Sequence, residues 1–158
     1  MINLEPIMLG VVAGVITAVA VFLLKELWIK VLLPLYQNIR YQGADISDSW
    51  GKEYESKEKE SITTFSLVLN QSAHKVKGSM HFSRNCNGNK TSHNYELVGE
   101  YWEGYLTLNA RSKDRKIFSN GTMFFKLAGN GKILEGYFTF RNALEDKVSS
   151  VELSLERN

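Results

Sequence analysis

Apolar positions follow two different rules along this chain. From Ile7 to Leu24, "IMLGVVAGVITAVAVFLL", eighteen consecutive residues carry no charge. Beyond Ile46, apolar and polar residues alternate in short runs separated by Gly, Asn and charged turns. The unbroken run predicts a helix able to cross a bilayer, which needs about 20 residues at about 1.5 Å rise each. The alternation predicts strands with one face out of water and one face wetted.

The apolar leader reads as a retained anchor rather than a cleaved signal. Its n-region, "MINLEP", has no Lys or Arg and carries Glu5, and no small-residue cleavage pattern appears in "KELWIKVLLPLY" after Leu24. Lys25 and Lys30 can snorkel and Trp28 suits an interface. Pro34 discourages further helix, so the helix is expected to stop there. Lys25, Lys30 and Arg40 follow the span and no basic side chain precedes it. That bias puts the N-terminus outside and residues 40–158 in the cytoplasm. The sequons at Asn70, Asn89 and Asn120 are then chance matches, since they matter only in a secretory lumen. Leu27, Val31 and Leu35 form a stripe beside Trp28, Leu32 and Tyr36, and Gly10 and Gly14 form a GxxxG that lets membrane helices approach closely.

Eight strands are predicted in the remainder. "ISDSWGKEYES" (Ile46–Ser56) is the first. "KEKE" (57–60) turns the chain into "ITTFSLVLNQ", with Phe65, Leu67 and Leu69 on one face. "KVKGSMHFS" (Lys75–Ser83) follows, then a polar loop, "RNCNGNKTS". "NYELVGEYW" puts Tyr95, Leu97, Gly99 and Tyr101 on one face, and Glu103-Gly104 turns into "YLTLNARS". "KDRK" (113–116) is an exposed turn before "FSNGTMFFKL". "AGNGK" is a hairpin signal. "ILEGYFTFR" and "KVSSVELSLER" (Lys147–Arg157) complete the set. Short hairpins and no further helix predict an all-β domain, a small eight-stranded antiparallel up-and-down barrel with an N-terminal transmembrane helix. Closure removes exposed edges; a two-sheet sandwich is the alternative. The expected division is an anchor and juxtamembrane segment over 1–39 and a barrel over 40–158. Gly78, Gly99 and Gly136 fall inside strands, where glycine marks a sharp bend or a close approach.

Composition narrows the chemistry. A formal charge of +2 makes no case for a polyanionic partner by itself. The single cysteine, Cys86, excludes an internal disulfide. There is no phosphate loop, dinucleotide fingerprint, HExxH or CxxC spacing, so no cofactor or metal is expected. His74, His81 and His93 form no evident catalytic set with Ser and Asp, Asp45 with Asp48 and Glu145 with Asp146 read as solvated turn carboxylates, and no enzyme is expected. What stands out is a set of aromatic and basic residues on strands. Trp50, Tyr54, Tyr101, Tyr105 and Tyr137 offer flat faces for stacking; Arg111, Arg141 and Lys126 offer charge for phosphate. These eight are the candidate ligand-binding residues. Tyr105, Thr107, Asn109 and Arg111 share one strand face, as do Tyr137, Thr139 and Arg141. Alternation alone leaves open which face looks inward.

An N-terminal membrane segment, a first strand reading "SWGKEY", eight short strands and a closing "VELSLER" together resemble one known group. They are similar to the membrane-anchored β-barrel effectors of bacterial cyclic-oligonucleotide antiphage signalling (CBASS) and of the related Panoptes system. The resemblance covers nearly the whole chain and rests on architecture. It implies a barrel in the cytoplasm, tethered to the inner membrane, that binds a cyclic di- or oligonucleotide made by a partner nucleotide cyclase or synthase. It further implies homo-oligomers whose clustered anchors disrupt the bilayer. In the Panoptes-like branch, ligand keeps the effector silent. Those effectors typically have two membrane helices, whereas this chain has one clear span, since Leu27–Leu35 is short and interrupted by Lys30. Two other functions fit the pattern: a membrane-tethered, lipocalin-like carrier of an apolar ligand, and an interaction module with a filled core that works through its outer face.

Overall fold

The computed structural model describes residues 4–56, 61–114, 120–142 and 147–158. The chain forms two compact units, Met1–Tyr41 and Gln42–Asn158.

The first unit is helical. Helix α1 (Leu4–Leu27) passes into a π-helical turn (Trp28–Leu32) and then helix α2 (Leu33–Arg40). Residues Pro6–Arg40 make one stretch long and apolar enough to cross a membrane. The helix therefore does not stop at Pro34. The reason is local: in a regular α-helix the proline lacks a donor and its ring meets the carbonyl four residues back. Here the ladder is re-registered, with the Leu33 N–H on the Trp28 carbonyl. Pro34 becomes a first-turn residue of α2, where a missing donor costs nothing. Arg40 ends α2 with a guanidinium hydrogen bond to the Tyr36 hydroxyl at 2.7 Å.

The second unit is a closed antiparallel barrel in sequential order, β1 to β8. Its strands are β1 (Asp48–Ser56), β2 (Ser61–Ser72), β3 (Lys75–Cys86), β4 (Asn89–Trp102), β5 (Tyr105–Ser112), β6 (Asn120–Ala128), β7 (Ile133–Asn142) and β8 (Lys147–Arg157). The alternation decides the faces. In a one-layer barrel only the lumen is out of water, so the apolar face of every strand turns in. Trp50, Leu67, Leu69, Met80, Leu97, Leu108, Met123, Phe125, Leu134 and Leu155 fill it and are buried. The polar-aromatic faces of Tyr105–Arg111 and Tyr137–Arg141 therefore look outward.

The segment "RNCNGNKTS" is not a loop. β3 and β4 run through it and turn at Asn87-Gly88, both with positive φ (49° and 82°). Asn-Gly is the pair that a two-residue hairpin wants, and the polar residues around it are paired strand rather than coil. Turns at Glu103-Gly104 and around Asn130 also take positive φ. The expected turn at 57–60, the end of the one at 113–116 and the carboxylates Glu145 and Asp146 lie outside the described residues. Gly99 and Gly136 are where strands press closest. A Cβ on Gly99 would run into the Thr107 carbonyl, and one on Gly136 into the Phe124 carbonyl.

One end of the barrel is plugged. The Trp50 indole N–H donates to the Ile46 carbonyl at 3.0 Å. The Ile46 amide donates to the Gln71 side chain at 2.9 Å. The Asn158 amide donates to the Ser49 carbonyl at 3.0 Å.

Candidate functional site

The barrel closes unevenly. Every other neighbouring pair of strands is laddered over at least seven residue pairs, but β1 and β8 pair only at Trp50–Arg157 and Gly51–Glu156. Beyond those pairs, side chains bridge the seam. The Lys52 ammonium meets the Glu156 carboxylate at 2.6 Å. That carboxylate, accepting its hydrogen bond, holds the Lys52 ammonium above its ordinary value of 10.5. Further along, the Tyr54 hydroxyl donates to the Ser154 carbonyl at 2.9 Å and accepts from the Ser154 amide at 2.7 Å. One phenol thus satisfies both backbone groups that a strand neighbour would have satisfied.

Inside this seam, at the end opposite the Trp50 plug, lies a cavity of about 340 Å³. Six aromatic rings line it: Tyr54, Phe65, Phe82, Tyr95, Phe138 and Phe140. They form two walls. On one, the Tyr54 ring meets the Phe65 edge at 6.1 Å, and Phe65 leans on Phe82 at 5.1 Å. On the other, Tyr95 meets Phe138 at 6.2 Å and Phe138 leans on Phe140 at 5.0 Å. His93 stacks on Phe82 at 6.1 Å. The rings gather because β2, β3, β4 and β7 each present an inward aromatic near this end; toward the plugged end Trp50, Tyr101 and Phe125 are fully packed among aliphatic side chains. Thr63, Arg84 and Glu152 supply the polar contribution. Thr63 and Arg84 are cross-strand partners. Glu152 belongs to the outer face of β8, opposite Tyr137, so the cavity reaches the surface through the seam.

The eight sequence-chosen residues divide. Trp50 and Tyr101 are buried in the lumen, Trp50 within the plug. Tyr54 lines the cavity. Tyr105, Arg111, Lys126, Tyr137 and Arg141 come together on the outer face of β5, β6 and β7. An open groove of about 460 Å³ there includes Arg111, Asn120 and Arg141. The cavity-lining Phe65, Phe82, Arg84, Tyr95, Phe138 and Phe140 were outside the chosen set. For the five rings among them the signal was present as alternation, with apolar parity continuing to the strand ends; what was missing was the assignment of that parity to the lumen.

The histidines are held by neighbours. His74 stacks on Trp102 at 3.5 Å, and a ring nitrogen of His81 lies 2.8 Å from the Asn94 side-chain oxygen. Among the described residues no three His, Cys, Asp or Glu side chains converge as a metal site. No family model matches the chain, and no curated protein or solved structure matches it either.

Proposed function

We propose that this protein is a membrane-tethered sensor whose barrel takes a nucleotide ligand into the aromatic cavity behind the β1–β8 seam. The observation that carries this reading is the cavity itself: six rings flank a volume of about 340 Å³, with Arg84 and Thr63 on its lining. That size falls at the low end of small-molecule sites, about 300–1,000 Å³. A base between the ring walls and a phosphate on Arg84 is the division of labour that flat faces and a guanidinium fork support. A cyclic di- or oligonucleotide would insert one base and leave the rest of its ring at the seam.

With the resemblance drawn from the sequence, this reading extends to an antiphage effector without enzymatic activity. The apolar helix crosses the bacterial inner membrane once, with the N-terminus outside, as the basic residues Lys25, Lys30 and Arg40 after the span favour. A nucleotide cyclase or synthase supplies the ligand. Ligand occupancy then controls clustering of the anchors in homo-oligomers and so disruption of the bilayer.

A second reading has its own support. Eight of the eleven lining residues are aromatic or aliphatic, which suits an apolar ligand carried at the membrane. One experiment separates the two. The full chain in nanodiscs is titrated calorimetrically with a panel of cyclic di- and trinucleotides, and in parallel with a fluorescent fatty acid. Micromolar or tighter binding of a cyclic nucleotide, weakened at least tenfold by Phe82→Ala or Arg84→Ala, supports the sensor. Fatty-acid binding with no nucleotide binding gives the carrier and rejects the sensor.

A further inference from the structure

The outer face of β5, β6 and β7 carries a chemistry the cavity does not explain. The cross-strand register sorts it into rows. Arg111 lies opposite Asn120, and the β6–β7 register continues that row to Arg141. Next come Asn109, Thr122 and Thr139, then Thr107, Phe124 and Tyr137, and last Tyr105, Lys126 and Glu135. Tyr105, Phe124 and Tyr137 are 45%, 50% and 53% exposed. Tyr105 and Phe124 lie nearly parallel, 5.5 Å apart, and Tyr137 is the direct partner of Phe124. The face therefore holds three exposed rings, three cations and one carboxylate, with hydroxyls and amides between.

The flanking strands carry the opposite charge. On β4, Glu96 stands opposite Arg111 and Glu100 opposite Thr107. On β8, Glu152 stands opposite Tyr137 and Glu156 opposite Ile133. Carboxylates thus fence a basic, aromatic strip three strands wide. Strand spacing makes it about 10 Å between β5 and β7, and the six residue steps from Tyr105 to Arg111 make it about 20 Å long.

We propose that this strip binds single-stranded nucleic acid. Bases stack on Tyr105, Phe124 and Tyr137; phosphates lie along Arg111, Lys126 and Arg141; and the carboxylate fences keep the backbone in the strip. Stacking is indifferent to base identity because every base has a π-face, and the Asn109–Thr122–Thr139 row offers hydrogen bonds to sugar and base edges. The register makes this surface distinct from the cavity, since every one of these side chains points away from the lumen. Exposed rings alone would equally suit a second copy or a lipid surface. The confined positive charge favours a narrow polyanion.

The test uses the full chain in zwitterionic nanodiscs and a fluorescein-labelled dT20 oligonucleotide, read by anisotropy. The expected result is saturable binding that weakens with salt. The Arg111→Gln/Arg141→Gln pair should lower the magnitude of the log–log salt slope by about 1.4, at about 0.7 per phosphate contact. Phe124→Ser and Tyr137→Ser, surface changes checked by circular dichroism, should each weaken binding about 5- to 100-fold. Phe82→Ala, in the cavity, should leave dT20 binding unchanged whether or not a cyclic nucleotide binds there. Absence of saturable binding overturns the proposal. So does binding that ignores both aromatic changes and is matched by heparin, which is charge attraction alone. Self-association lost in Tyr137→Ser without dT20 binding assigns the face to a second copy and equally overturns it.

Discussion

The Arg157 guanidinium lies over the Trp50 ring, 4.6 Å from its centroid, and the same two residues form one of the two backbone pairs that close the barrel. The guanidinium also donates to the Asp45 carbonyl at 2.7 Å and faces the Asp48 carboxylate at 3.7 Å. One side chain near the C-terminus therefore ties together the plug, the first strand and the last. Because β1 and β8 are joined by so few ladder bonds, this contact carries more of closure than its size suggests.

Trp50→Ala should cost about 3–5 kcal/mol, the range for a large core side chain. Arg157→Ala should cost about 1–2 kcal/mol from loss of the cation–π contact and the plug hydrogen bond. Denaturant unfolding of the full chain in micelles, followed by near-ultraviolet circular dichroism, measures both. An Arg157→Ala protein as stable as the parent would show that the guanidinium contributes nothing to closure.

Tyr54→Phe tests the seam. The phenol is the single group satisfying the Ser154 amide and carbonyl toward β1. Its removal leaves two backbone groups to water or to nothing, at about 1–3 kcal/mol if they stay dry. Local opening should change more than global stability. Hydrogen exchange at the Ser154 amide should rise at least tenfold in Tyr54→Phe, while exchange at Leu97 and Leu108 follows only the global change. Equal protection of Ser154 in both proteins would rule out the phenol as the closure.

Gly99 and Gly136 can be tested by a single methyl. A Cβ at either position collides with the carbonyl of the neighbouring strand. Backbone cannot rotate aside as a side chain does, so the strands must separate. Gly99→Ala and Gly136→Ala should each cost at least about 1–3 kcal/mol, the usual range for overpacking. Gly10→Ala, with open space around it within the single chain, serves as the comparison and should not lower the melting temperature of the barrel in the same thermal melt, since alanine is the better helix former. A Gly136→Ala barrel melting at the parental temperature would contradict the close approach.

These contacts also mark how far the sequence could be read. The apolar run from Ile7 and the period-two runs after Ile46 are collective signals, averaged over many residues, and they predict a helix and eight strands without help from context. Pro34 was misleading because its effect depends on hydrogen-bond register, and a π-turn upstream changes that register. The polar run around Asn87-Gly88 looked like coil because composition reports wetting rather than pairing. The division of Tyr137 from Phe138 was visible as parity, but its sense requires knowing that the sheet closes on a dry lumen. The seam was not legible at all. It depends on where β8 stops pairing with β1, across about a hundred residues, and on a phenol reaching Ser154. A cavity walled by Phe82 and Phe140 follows from that tertiary accident of closure, and neither residue is unusual for a strand.

The plug also gives stability a pH dependence with a definite sign. The Asp45 carboxylate accepts hydrogen bonds from Ser47, including the backbone amide at 2.8 Å. These bonds, aided by the Arg157 charge, hold its pKa below the ordinary 3.8. A carboxyl depressed in the folded state binds fewer protons folded than unfolded, so its contribution is complete above the unfolded value and fades as pH falls through the folded one. Asp45→Asn removes the titration while leaving an oxygen to accept from Ser47. The stability difference between parent and Asp45→Asn should therefore be constant from neutral pH to about pH 5. It should shrink below pH 3.8 and level off once the folded-state carboxyl is protonated. Thermal melts of the two proteins at matched ionic strength supply the measurement. A difference that stays constant through the acid range would mean that the Ser47 turn, and not its charge, is what the plug uses.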